Sequence, residues 1–213
     1  MTPSVERLIN DALAMESESA LEAGALGFMA RAMVQATLPH KQVAVNEFER
    51  RNGNYSLSIM APSSIGLPYG TIPRLLLAWL TTEAVKTKSR ELELGDSLSG
   101  FMAELDMMPT GGRWGSITRL KDQTTRLFSS MIQCSYTTND RHAVKSIVVA
   151  DESDLWWSPS SPGQHCLVDS TVKLSQPFYD EIINNPVPVD MRALQALRTV
   201  SYTHLTLPTS DLV

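Results

Sequence analysis

One segment constrains this chain more than any other. Gly66-Leu67-Pro68-Tyr69-Gly70-Thr71-Ile72-Pro73-Arg74 runs without a break into Leu75-Leu76-Leu77-Ala78-Trp79-Leu80. The first half, with its prolines and glycines, reads as a rigid turn. The second half reads as a helix. Thr71 is placed to cap it and Pro73 sits acceptably in its first turn, so the pattern predicts a helix to about Thr87.

Around this segment the periodicities alternate between helix and strand. From Ser4 to about Thr37 the pattern is helical. Ser4 serves as N-cap, and Leu8, Ala12 and Met15 follow at helical spacing. Gly24 and Gly27 weaken the middle, leaving one helix or two joined there, and Pro39 ends the segment. Val43–Phe48 and Tyr55–Met60 read as strands, and Asn52-Gly53 between them predicts a hairpin over 43–60. Beyond the central helix, Arg90–Leu94 reads as a short strand. Ser97 then opens a second helix to about Asp106, with Leu98, Phe101, Met102 and Leu105 on one face. A turn at Pro109–Gly112 leads to a third helix from about Gly115 to Met131. Strands follow at Ile132–Thr137, Val144–Ala150 and around Cys166–Leu174, with a last short helix at Gln176–Asn184. Helix, short strand, helix, turn, helix, strand, turn, strand is the chain order of a winged helix. In that helix-turn-helix variant a hairpin packs beside the recognition helix. The expected fold class is therefore α+β.

Composition fits a globular chain with a full core: 43% of residues are apolar and 19% charged. No apolar run approaches the roughly 20 residues of a membrane span, and the N-terminus has no secretory signal pattern. Cys134 and Cys166 form neither a disulfide framework nor a metal spacing, which suits a reducing cytoplasm. The net charge of −5 argues at first against nucleic acid, but its distribution does not. Residues 1–30 carry one basic and five acidic side chains, and residues 149–184 carry one basic and six acidic. The stretch 31–148 carries fourteen basic and ten acidic. A local phosphate-facing surface in an acidic protein gives this asymmetry, and so does an uneven solvated surface.

The third helix carries the candidate chemistry. Ile117, Leu120, Thr124, Leu127, Phe128 and Met131 form its apolar side, while Arg119, Gln123, Arg126 and Ser130 share another face. Arg119 and Arg126 suit phosphate or guanine edges, and Gln123 can present a bidentate amide to adenine. Arg113 and Lys121 would add phosphate contacts. Backbone N–H groups near Ser116 and Thr118 would bind phosphate at the helix start. The plainer reading makes the same residues the solvated face of an amphipathic helix. Lys86, Lys88 and Arg90 complement a helix dipole better than they suggest a phosphate site, and Arg50 and Arg51 suit a charged turn. Trp156 and Trp157 fit a strand end leading into a loop, with a partner patch as the alternative.

Catalytic constellations do not stand out. His40, His142, His165 and His204 are scattered, and His165-Cys166 lacks zinc spacing. Thr110-Gly111-Gly112-Arg113 is not followed by the Lys-Ser/Thr of a phosphate-binding loop. A nuclease or relaxase would pair clustered histidines with a tyrosine, and Tyr55, Tyr69 and Tyr136 have no such company. The expectation is a binding protein rather than an enzyme, with no cofactor and no metal.

The turn and helix Leu67–Leu80 resemble the RepA-type plasmid replication initiators. So do Leu92-Glu93-Leu94-Gly95, Phe101-Met102, Thr110-Gly111-Gly112, Gln123-Thr124-Thr125-Arg126-Leu127-Phe128 and Pro188–Leu194. The resemblance covers about residues 60–198. It implies a bacterial cytoplasmic protein that binds repeats in double-stranded origin DNA, helps open the duplex and recruits the host initiator and helicase. It also implies tandem winged-helix domains and exchange between homodimers and DNA-binding monomers. The first domain of such proteins can serve chiefly for backbone contact or dimerisation. The alternatives are a winged-helix repressor of its own gene and a protein-interaction domain without DNA contact.

The expected organisation is a helical arm over 1–38, a winged-helix domain over 40–185 and the start of a truncated second winged helix over 186–198. Residues 199–213 read as a non-native tail, because Val200–Ser210 has no apolar helical face and resembles the translation of a sequencing adapter. Long-read sequencing that finds the tail in intact source DNA would sink that idea.

Overall fold

The computed structural model describes residues 26–30, 37–95, 97–140, 142–155 and 170–196. Its centre is helix α1, Ile72–Thr87, in which eleven of sixteen residues are buried, from Ile72 and Pro73 to Ala84. A helix apolar on every side must be wrapped, and this one is. Strand β1 (Leu26–Ala30), strand β4 (Glu91–Glu93) and helices α3 (Ser116–Phe128), α4 (Gln176–Asn184) and α5 (Met191–Ala196) all pack on it. Thr71 makes no side-chain cap at its start. The helix ends on Lys88 in the left-handed region, whose N–H donates to the Ala84 carbonyl. The short helix α2 (Leu98–Glu104) is capped by Ser97, whose hydroxyl accepts from the Gly100 N–H. It buries Leu98, Phe101 and Met102.

Three antiparallel sheets surround these helices. Strands β2 (Glu47–Asn52), β3 (Tyr55–Met60), β5 (Met131–Thr137) and β6 (His142–Val148) form a four-stranded sheet in that order. Its inner face places Leu57 and Ile59 against Cys134 and Ile132, with Ile147 behind them. The predicted hairpin is present, but its two turn residues are Gly53 and Asn54, since Asn52 pairs with Tyr55. Gly53 has φ +58°, at the first turn position, where a type II′ turn requires glycine. The first strand starts at Glu47 rather than Val43.

Strands β4, β8 (Thr171–Leu174) and β7 (Ala150–Asp154) form a second sheet in the order β4-β8-β7. Arg90 clamps it, donating to the Leu174 carbonyl at 2.7 and 3.0 Å and to Asp151 at 2.8 Å. Arg90 thus serves the sheet rather than the end of α1.

Three expectations change here. The helical pattern read over residues 4–37 contains β1 at Leu26–Ala30, and β1 pairs with β9 (Pro186–Asp190). Gly24 and Gly27 already disfavoured a helix there, and a partner strand more than 150 residues away outweighs local periodicity. The hairpin expected beside the third helix does form from β5 and β6. It joins β3, however, and leaves the short strand β4 to pair with β8. The segment read as opening a further domain returns to this body as β9 and α5. Residues 1–25 and 31–36 of the N-terminal arm, Trp156-Trp157, His165-Cys166, His204 and the C-terminal tail lie outside the described residues.

Candidate nucleic-acid interface

Helix α3 is amphipathic as the periodicity predicts, burying Ile117, Leu120, Thr124 and Leu127. Its polar side divides into two environments. One stripe is covered by the rigid turn before α1. The Gln123 side chain is only 4% exposed; its carbonyl oxygen accepts from the Tyr69 N–H at 2.8 Å and its amide donates to Asp122 at 3.1 Å. Arg126, with its side chain 16% exposed, donates to Asp122 at 2.8 Å, reaches the Leu67 carbonyl at 3.4 Å and stacks over Tyr69. Ser130 closes the stripe by donating to the Arg126 carbonyl at 2.6 Å. Gln123 and Arg126 are therefore the seat of the 66–70 turn, and the amide expected to read adenine is occupied inside the fold.

Gln123→Ala is expected to cost about 1–2 kcal/mol, because it leaves the Tyr69 N–H without its acceptor in a part-buried seam. Equilibrium urea unfolding reads this, and a change below about 0.5 kcal/mol would mean that the seam is hydrated rather than closed.

The second environment is open to solvent. Thr118, Arg119, Lys121 and Thr125 are exposed, as is Arg113 in the loop before the helix. Asp122 is the one acid on this part of the helix, and Arg126 already pairs with it. Arg119 also lines a cavity of about 480 Å³ together with Tyr69, Gly70, Thr71, Met107, Met108, Thr110 and Asp122.

The loop over Met107–Gly115 is closed by its own hydrogen bonds. Ser116 is buried: its hydroxyl donates to the Met108 carbonyl at 2.6 Å and accepts from the Thr110 N–H at 2.9 Å. The Ser116 N–H donates to the Thr110 hydroxyl at 2.9 Å, and the Thr118 hydroxyl donates to the Gly112 carbonyl at 2.9 Å. The backbone donor expected to hold phosphate at Ser116 is thus engaged within the loop. Of the seven residues singled out from sequence, Arg113, Thr118, Arg119 and Lys121 are each exposed. Ser116, Gln123 and Arg126 shape what lies beneath them. Sequence reasoning passed over Trp114, which is 81% exposed beside Arg113.

The β4-β8-β7 sheet has the other sign. Glu91, Glu93, Glu152 and Asp154 are exposed on the β4-β8-β7 sheet, with Lys173 between them within 4 Å of Glu91 and Glu152. Among the described residues, no group of three or more His, Cys, Asp or Glu side chains is placed to hold a metal ion. No helix among them is long and apolar enough to cross a membrane.

The fold is a mixed helix and sheet body, and its open basic surface lies at the start of an amphipathic helix. The chain belongs to the family of plasmid-encoded RepA proteins, the plasmid replication initiator family that its motifs resemble, with residues 67–209 matched. That match extends past Arg198 into the C-terminal tail. No curated protein matches the sequence. Among solved structures, the chain is similar to a crystal structure of domains 2–3 of RctB, with a TM-score of 0.49 and 10% identity. That alignment covers 72% of this chain and 59% of the other. It is also similar to the selenomethionine derivative of RctB domains 2 and 3, with a TM-score of 0.47 and 9% identity. There 73% of this chain and 59% of the other are covered. The chain spans less than two thirds of the length of both.

Proposed function

We propose that this chain is a plasmid replication initiator that binds double-stranded origin DNA through the start of α3 and the loop before it. The observation that carries the reading is the exposure of Arg113, Thr118, Arg119 and Lys121 over the loop and first turns of α3. The other polar stripe of this helix is locked into the core. Cations that are free of internal carboxylates neutralise phosphate, and binding then releases condensed counterions.

In this reading α1, β4, α2, α3 and the antiparallel pair β7–β8 compose a winged-helix-like unit. The partner of β4 is then the hairpin β7–β8 rather than β5–β6. Duplex opening, recruitment of the host initiator and helicase, and exchange between dimer and monomer belong to the same proposal, on the strength of the family. The setting would be the bacterial cytoplasm.

The test is fluorescence-anisotropy titration of the plasmid's own origin duplex over a salt series. The Arg119→Ala, Lys121→Ala double variant is expected to lower the slope of log K against log salt by about 2. It should leave thermal unfolding unchanged, since both side chains are exposed. Arg126→Ala should do the opposite, losing stability while keeping the slope. An unchanged slope in the double variant would remove α3 from the interface.

A further inference from the structure

We infer that Trp114 is a stacking platform for an unpaired base, so that this surface holds one strand of opened DNA as well as duplex. The inference rests on the DNA-binding reading above and names what the surface does once the helix is melted. Tryptophan is among the most highly buried residues on average, yet Trp114 is 81% exposed and the neighbouring Met108 is equally so. This exposure is held in place by the loop. Thr110 and Ser116 exchange backbone and hydroxyl hydrogen bonds at 2.9 Å, and the Gly115 N–H donates to the Gly112 carbonyl at 3.1 Å. The closed loop projects Arg113 and Trp114 from its tip while Met107 anchors its other end in the core.

The chemistry of the surroundings selects the occupant. The Arg113 guanidinium lies 5.3 Å from the centre of the Trp114 ring, polarising one face and leaving the ring otherwise open. Arg119 and Lys121 stand exposed on the adjoining first turns of α3. An apolar protein partner would gain little from desolvating the guanidinium that lies against this ring. A nucleic acid strand satisfies both, because every base has a π-face and every nucleotide carries a phosphate. In intact duplex the base faces are already stacked on each other, so the ring gains most from a strand whose bases are free. Phosphate contacts would serve both forms of DNA, and Trp114 would favour the opened one.

The experiment uses the full chain and two fluorescein-labelled probes at one salt concentration. One is an oligothymidylate of about 16 nucleotides, whose bases stack weakly on one another; the other is a mixed-sequence duplex of the same length. Trp114→Ala is expected to weaken oligothymidylate binding by about tenfold, while duplex affinity and the salt slope on either probe stay within about twofold of the parent. Trp114→Phe should retain most single-strand affinity. Arg113→Ala should reduce the salt slope on both probes. Equal losses on the two probes, or no loss on the single strand, would overturn the platform while leaving the duplex interface standing. If the parent protein binds neither probe at low salt, the DNA-binding reading fails and the platform with it. A melting temperature measured for each variant separates these outcomes from misfolding, which an exposed side chain is not expected to cause.

Discussion

Phe101→Ala should lower the free energy of unfolding by about 3–5 kcal/mol, the largest effect expected of any single substitution in this fold. Phe101 is 1% exposed and meets the Trp79 ring edge-on, with centroids 4.9 Å apart and planes at 90°. Trp79 in turn donates its indole N–H to Glu104 at 2.9 Å. This arrangement fastens the middle and the C-terminal end of the short helix α2 to α1. Seven residues are too few for a helix to persist alone, so α2 depends on that contact. Truncation would remove the transfer energy of the ring, leave a cavity and forfeit the edge-to-face pairing. Equilibrium denaturation should show a lower midpoint at an unchanged m value. A loss under about 1 kcal/mol would mean that α2 is held by Leu98 and Met102 instead.

Gly115→Ala is the second large effect, and it joins stability to function. The backbone of Gly115, at φ −67° and ψ 162°, is one that alanine adopts freely. Space is the obstacle. A Cβ there would overlap the carbonyl oxygens of Thr110 and Gly111 and lie 2.7 Å from the Gly111 carbonyl carbon. These are backbone atoms that cannot rotate aside, so the cost should reach about 3 kcal/mol, the upper part of the overpacking range. The relief available to the chain is to open the loop that presents Arg113 and Trp114, so DNA affinity should fall with stability. Gly111→Ala is the matched control. A methyl group at Gly111 would meet nothing within 4 Å, so this change should be neutral in both assays. If Gly115→Ala melts like the parent and binds like it, the loop is not closed in the way described.

Much of this architecture could be read from local pattern. The helices at 72–87, 98–104, 116–128 and 176–184 announce themselves through apolar spacing, through Ser97 as a cap and through Pro73 in a first turn. The β2–β3 hairpin follows from the Asn-Gly signal, with a shift of one residue at its tip. The family followed from spaced motifs, and in the structure two of them meet. Leu67–Tyr69 and Gln123–Arg126 are 54 or more positions apart and touch through hydrogen bonds.

Tertiary structure decided the rest. Periodicity places Arg119, Gln123 and Arg126 on one face of a helix, but it cannot say which element settles on that face. Once the 66–70 turn docks there, the same polarity that suggests base recognition becomes internal hydrogen bonding, and only Arg119 of the three stays exposed. Strand pairing was hidden for a related reason. β4 has three residues and β1 carries a helical pattern, so their partners β8 and β9 are chosen by the packing of distant segments rather than by anything local. The exposure of Trp114 belongs to the same class, since composition predicts burial and only the closed loop from Met107 to Gly115 holds the ring outside. By itself the sequence determined where helices form and which faces are apolar, because those depend on neighbours within a few residues. The fold decided which polar residues remain free to meet a partner, because that depends on what else arrives at the surface.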